Sequence, residues 1–341
     1  MIRLLPVSSI ARAIVCLIVI AGVVAACTGL PRYGVVLDPL PAGLLQADEA
    51  FVMPDGARLP VRTWLPVGGR PRVVVLALHG FNDSRDAWEI PGPVFAEAGV
   101  AVYAPDQRGF GAAPMRGLWP GGPQLADDAG AMLGVLRARY PGVPLYAMGE
   151  SMGGAVLMTL AARADARAVD GWVLLSPAVW GRQEMGAVLS GGLWLVSGVA
   201  PGLSVTGAEV PLRVMASDNR EALIRLARDP LTIRRTRFDS LRGLTDLMDG
   251  AQAAAPGVGG RMLVLYGAKD TLVPADAMGR AWSRLPRGVR FGLYGDGYHL
   301  LMRDRAREQP LGDVLAWMED KDAWLPSGAD VAAGAWRAAH Y

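Results

Sequence analysis

Residues 144–164 read PLYAMGESMGGAVLMTLAARA, and the order of residue types in this stretch decides the fold. Pro144–Met148 is a short apolar run of the kind that fills a strand. Residues 149–153 are G-x-S-x-G, and residues 153–164 are an apolar helix-forming segment. A serine presented at the tip of such a strand–turn–helix needs small neighbours, because the backbone turns back sharply on itself. The helix that follows opens with free N–H groups and the positive end of its dipole. Both favour the negative charge that develops when a hydroxyl attacks a carbonyl. Ser151 is the candidate nucleophile.

Outward from this turn the same strand type recurs. Arg72–Leu78 (RVVVLAL), Val100–Ala104, Gly171–Leu175, Arg261–Tyr266 and Arg290–Tyr294 are continuous apolar runs, the mark of strands buried on both faces. Helical patterns lie between most of them, at Ala87–Ala98, Gln124–Arg139 and Ala275–Leu285. The alternation predicts an α/β fold, a mostly parallel central sheet with helices on both faces. Residues 51–64 form two β-like runs around Pro54-Asp55-Gly56, which predicts a hairpin. From Val179 to Pro256 about eighty residues separate consecutive strands, far more than a βα connection needs. The organisation expected is a core of residues 49–178 and 257–320, an inserted cap at 179–256, and a tail at 321–341 without a readable pattern.

A serine nucleophile needs a base, and the base needs an acid to hold its tautomer. Only His299 and His340 follow Ser151, and His299 sits in GDGYHLL directly after the last strand run. His299 is therefore the candidate base. Asp270 in GAKDTLVP follows the run RMLVLY at the same sheet edge and is the candidate acid. Asp296 is the rival, but it shares a short loop with His299, from which a tight contact to Nδ1 is awkward. His79-Gly80-Phe81 follows RVVVLAL. In a fold of this kind the loop there and the residue after the nucleophile donate to the oxyanion, which assigns the N–H groups of Phe81 and Met152. His79 then organises its loop.

Together HGFND (79–83), DQRGFG (106–111), GESMGG (149–154), LLSPAV (174–179), GAKDTLVP (267–274) and GYHLL (297–301) resemble the monoacylglycerol lipase and lysophospholipase (serine aminopeptidase-like) group of α/β-hydrolases. The resemblance runs from about Phe51 to Asp304. It implies an α/β-hydrolase fold with an inserted cap, and a serine hydrolase that cleaves monoacylglycerol or lysophospholipid-type esters through an acyl-enzyme. It implies a small acyl ester or lipid as substrate and no cofactor or metal. Glu150 is a support residue in this reading, and Asp106 and Arg108 belong to a structural turn. A peptidase or amidase on the same scaffold, and a non-catalytic lipid-binding lipoprotein, are the alternatives, since fold does not fix function.

The first residues read as an address. Arg3 and Arg12 precede the apolar run AIVCLIVIAGVVAA at 13–26, the pattern of a secretory signal peptide. Val24-Ala-Ala-Cys27 resembles the bacterial lipobox. That resemblance implies that Cys27 becomes the first mature residue, carries lipid and anchors the chain to a membrane through a tether at 27–48. Thr28 in place of Asp implies the outer membrane, facing the periplasm. An uncleaved anchor and an ordinary signal peptide are the alternatives. Of the whole chain 52% is apolar and 19% charged, which excludes disorder for most of it. Only Lys269 and Lys321 among the 34 bases are lysines, and the arginines are scattered among 32 acids, so no nucleic-acid surface is expected. Three histidines and two cysteines make a histidine-rich metal site and a disulfide framework equally unexpected.

Overall fold

The computed structural model describes residues 49–164, 169–209 and 214–340. The expected signal peptide, Cys27 and the tether lie outside the described residues. Ten strands are described: β1 (Glu49–Val52), β2 (Arg58–Trp64), β3 (Val73–Leu78), β4 (Val100–Pro105), β5 (Leu145–Glu150), β6 (Gly171–Leu175), β7 (Ser204–Thr206), β8 (Arg235–Arg237), β9 (Met262–Gly267) and β10 (Arg290–Tyr294). The helices are α1 (Pro91–Glu97), α2 (Gly122–Arg139), α3 (Met152–Ala161), α4 (Arg182–Val199), α5 (Arg220–Arg228), α6 (Phe238–Ala254), α7 (Ala275–Arg284), α8 (Glu308–Glu319) and α9 (Ala329–His340).

Eight strands form one sheet in the order β1-β2-β4-β3-β5-β6-β9-β10. All neighbours are parallel except at β2, which pairs antiparallel with β1 and with β4. The apolar runs form this sheet because each strand buries both faces. In β3, Val74, Leu76 and Leu78 face one core, while Val73, Val75 and Ala77 face the other. The first core is closed by α2, α3, α6 and α7, the second by α1 and α8. The two-residue period of a strand thus serves two apolar layers at once, as a central parallel strand requires.

Two boundaries differ from the sequence reading. The insertion does not run as a separate cap to Pro256, because α6 buries Leu247, Met248 and Ala251 in the same core as α3. What remains as a cap outside that core is α4, which packs on α6, with α5 and the two-stranded ribbon β7–β8. Nor is 321–341 a mere tail. Its residues 329–340 form α9, which packs on β10, burying Ala329 and Ala333 and setting Trp336 edge-on to Trp282 with ring centroids 5.2 Å apart. This helix covers the last edge strand, which would otherwise expose unpaired backbone groups.

Candidate active site

From β3 the chain passes to β4 on one side and later to β5 on the other, so the loops after β3 and β5 part at the carboxyl ends of the sheet. Such a switch point is where doubly wound sheets open a crevice. Ser151 stands on the loop after β5 and Gly80–Phe81 on the loop after β3. Ser151 has φ 53° and ψ −114°, a conformation that costs an L-residue on the order of 1–3 kcal/mol. Hydrogen bonds hold it there. The Ser151 N–H donates to Leu175 O at 2.9 Å, and its carbonyl accepts from Ala155 N at 3.1 Å and Ala178 N at 2.9 Å.

Gly153 explains the second small position of the motif. A Cβ there would lie 2.5 Å from the carbonyl oxygen of Leu78, the last residue of β3. Its absence lets the N-terminus of α3 press against the strand that leads into the His79 loop. A Cβ on Gly80 would lie 3.4 Å from Ser151 Cβ, so the Gly80–Phe81 peptide runs beside the serine. Met152 is the first residue of α3, where the helix supplies no acceptor for its N–H. The two peptides assigned to the oxyanion site therefore both adjoin Ser151. His79 is buried and occupied. Its Nδ1 lies 2.7 Å from Gly80 O, its Nε2 accepts the Gln107 N–H at 3.0 Å, and the Gln107 side-chain amide donates to its carbonyl at 2.8 Å.

His299 Nδ1 lies 2.8 Å from Asp270 Oδ2, with the two side chains 3% and 0% exposed. The other oxygen of Asp270 accepts the backbone N–H groups of Leu272 at 2.8 Å and Val273 at 3.0 Å. The two loops meet because Gly267 has no side chain: a Cβ there would be 2.4 Å from the carbonyl oxygens of Gly297 and Tyr298. Asp296 points away. It is 86% exposed and accepts from Lys269 Nζ at 2.6 Å, and that ammonium holds its carboxyl below the usual range. His340 ends α9, on the outer edge of the sheet.

The His299 loop is braced from below and from the cap. Asp304 accepts the Tyr298 N–H at 2.7 Å and the Ser217 hydroxyl at 2.5 Å, and Leu300 N–H donates to Ala216 O at 2.9 Å. Burial pushes the Asp304 carboxyl up to about 6, against the hydrogen bonds it accepts. The cap is also fastened to the loop after β3. Asn82 accepts Ile233 N–H at 2.9 Å and donates to Thr236 Oγ1 at 2.6 Å, and Ser84 donates to Asp229 at 3.0 Å. In α4 the apolar run at 193–196 does not form a closed wall. Trp194 and Leu195 are 61% and 48% exposed, while Leu193 and Val196 are half-buried.

The remaining motif residues are structural. Asp106 accepts the backbone N–H groups of Arg85 and Ala112, both at 2.7 Å, and pairs with the Arg85 guanidinium. Arg108 pairs with Asp128 at 2.8 Å and with Asp55. Glu150 is buried against the Arg303 guanidinium, which also holds Asp83 at 2.8 Å. Burial pushes the Glu150 carboxyl up, and the Arg303 charge opposes the shift. The sequence reading missed Arg303 and Asp83, and a charged residue directly before the nucleophile was the one signal that pointed to them. Among the described residues no group of three or more His, Cys, Asp or Glu could hold a metal ion.

A doubly wound sheet with a strained serine between strand and helix, and with a buried His–Asp pair on the ends of the last two strands, β9 and β10, defines an α/β-hydrolase. The sequence model of one of its families, "Serine aminopeptidase, S33", matches residues 69–306, and the chain belongs to that family. Among similar proteins is a monoacylglycerol lipase of Mycolicibacterium smegmatis, 26% identical over 286 residues that cover 80% of this chain and 97% of the relative. The mouse monoglyceride lipase is 24% identical over 288 residues, 82% of this chain and 92% of the relative. Two solved structures share the fold. A monoglyceride lipase from Saccharomyces cerevisiae, crystallised as a soluble variant with a substrate analogue, has a TM-score of 0.68 at 18% identity and covers 85% of this chain and 98% of its own. The monoacylglycerol lipase of Paleococcus ferrophilus has a TM-score of 0.65 at 21% identity, covering 76% and 98%.

Proposed function

We propose that this chain is a serine hydrolase of carboxylic esters, acting on monoacylglycerol or lysophospholipid-type substrates through an acyl-enzyme. The observation that carries the reading is the buried 2.8 Å pairing of His299 with Asp270, with Ser151 held in strain at the strand tip. In the mechanism proposed, Ser151 Oγ attacks the acyl carbonyl and His299 Nε2 takes its proton. Asp270 accepts the Nδ1–H, so Nε2 is the basic nitrogen and the imidazolium that forms is stabilised. The N–H groups of Phe81 and Met152 receive the oxyanion, each donor worth about 3–4 kcal/mol in sites of this type. His299 returns the proton to the leaving alcohol. Water, deprotonated in turn by His299, then releases the acid. The lipid ester is proposed because curated relatives that align over most of this chain are named monoacylglycerol and monoglyceride lipases. We also propose that Cys27 is lipidated and holds the enzyme at a bacterial envelope membrane, beside such lipids.

The test is labelling with a fluorophosphonate, which needs an activated serine, followed by a panel of monoacylglycerols, lysophospholipids, p-nitrophenyl esters and aminoacyl amides. Labelling that Ser151→Ala abolishes, with turnover of the esters, is the result expected. Turnover of the amides alone would replace the ester reading by a peptidase or amidase. Failure to label would leave a lipid-binding protein.

A further inference from the structure

Three segments must hold one geometry for the proposed reaction: the loop after β3, the turn at Ser151 and the loop of His299. One side chain touches all three. Arg303 lies four residues beyond His299, in a single 3₁₀ turn. Its Nη2 donates to Asp83 Oδ2 at 2.8 Å, two residues past Phe81, and to Glu150 Oε1, the residue before Ser151. These partners are 220 and 153 residues away in sequence. All three side chains are buried, Arg303 at 6% exposure, Glu150 at 4% and Asp83 at 7%. Asp83 also accepts the Ser84 N–H at 2.8 Å, and its own N–H donates to Gly80 O at 3.3 Å, which closes the loop after β3 on itself. Arg303 O accepts from Asn219 at 2.9 Å, which ties the same turn to the cap.

We infer that Arg303 is a positioning residue for the reaction at Ser151, clamping the nucleophile turn, the oxyanion loop and the base loop in register through Glu150 and Asp83. The inference rests on the function proposed above. A guanidinium suits the task because it keeps its charge when buried. Two carboxylates on one cation are also a costly arrangement to bury unless geometry holds them close. A cleft of about 360 Å³ reaches Arg303 and Asp83 from the outside, lined also by Asp86, Arg225 and Asp229.

The test compares Glu150→Gln, Arg303→Lys and Arg303→Met with the wild type and with Ser151→Ala, on a soluble p-nitrophenyl ester. Glu150→Gln keeps the side-chain volume but weakens its bond to Arg303. We expect kcat to fall about ten- to a hundredfold, as for a reacting group displaced by about 1 Å, with KM within about twofold. Both clamp bonds leave from one nitrogen, and an ammonium facing the same two carboxylates is held in its charged form, so it can make them. Arg303→Lys should therefore recover most of what Arg303→Met loses, and fluorophosphonate labelling rates should follow kcat. Wild-type kcat in folded Glu150→Gln, or a lysine variant no better than the methionine one, overturns the inference. Ser151→Ala separates this failure from failure of the underlying reading: if it stays active, the proposed mechanism itself is wrong. Arg303→Met alone is not decisive, because a broken buried pair can unfold the chain, which circular dichroism would reveal.

Discussion

Replacing Asp270 by Asn tests the proposed acid with a change of one atom, and the structure dictates which way the new side chain must face. Asp270 Oδ1 accepts two backbone N–H groups, from Leu272 and Val273, and Oδ2 faces His299 Nδ1 at 2.8 Å. An asparagine has one carbonyl oxygen. If that oxygen stays on the two N–H groups, its NH₂ points at Nδ1. The imidazole must then accept at Nδ1 and carry its proton on Nε2, where it cannot take the proton of Ser151. If the amide flips, two backbone donors in a buried site face an NH₂ instead, and leaving such donors unmade costs about 1–3 kcal/mol each. The first arrangement wins, and the enzyme is trapped in the wrong tautomer. In a serine triad that change lowers kcat about 10⁴-fold, which is about 5 kcal/mol of transition-state stabilisation. The fold should survive, because volume and the two backbone bonds are kept. Asp296→Asn is the control. Its carboxylate is solvent-exposed on Lys269, so kcat should stay close to wild type. Turnover of a p-nitrophenyl ester, followed by nitrophenolate release, reads both variants. A kcat within tenfold of wild type in Asp270→Asn, or a larger loss in Asp296→Asn, would refute the assignment.

Gly153→Ala should both destabilise the protein and lower kcat. The new Cβ meets Leu78 O at 2.5 Å, and overpacking of this kind costs about 1–3 kcal/mol, read by urea denaturation alongside turnover. Asp304, raised to about 6, binds a proton more tightly folded than unfolded, so its contribution to stability falls as pH rises from about 4 to about 6 and is flat above. Asp304→Asn should remove that slope from the melting temperature measured across this range, and an unchanged slope would assign it to another group. If the acyl chain buries against apolar residues of the cap, kcat/KM should climb with chain length, each buried methylene adding about 0.8 kcal/mol. A flat profile from acetyl to octanoyl esters would count against lipid substrates. Mass spectrometry of the N-terminal peptide from membrane fractions should find Cys27 acylated, and Cys27→Ser should release the enzyme. An unmodified Cys27 would favour the uncleaved anchor or an ordinary signal peptide.

The parts of this protein that could be read in advance are those whose physics is local. A strand buried on both faces must be apolar at every position, so VVVLAL in β3 and MLVLYG in β9 announce themselves without partners. The turn at Ser151 is legible because its constraints fall on residues within three positions of the serine. The pairing of His299 with Asp270 follows from the order of strand ends, which parallel connectivity fixes. What escaped the reading is decided by contacts between segments far apart. Residues 238–254 carry an amphipathic pattern that suits either a cap or a core helix, and only the surface of α3 selects the core. Residues 329–340 read as a tail without a pattern until the exposed edge of β10 supplies the surface that their alanines and Trp336 cover. Arg303 is the extreme case. Nothing near it in sequence distinguishes it from the chain's other arginines, yet its two partners stand one beside Ser151 and one in the loop after β3. A charge that must be buried carries its own requirement for partners, and here those partners lie in the loops the reaction would need to keep in register. The cost of desolvating three ionisable groups therefore falls where a displacement of the backbone would be most damaging to catalysis.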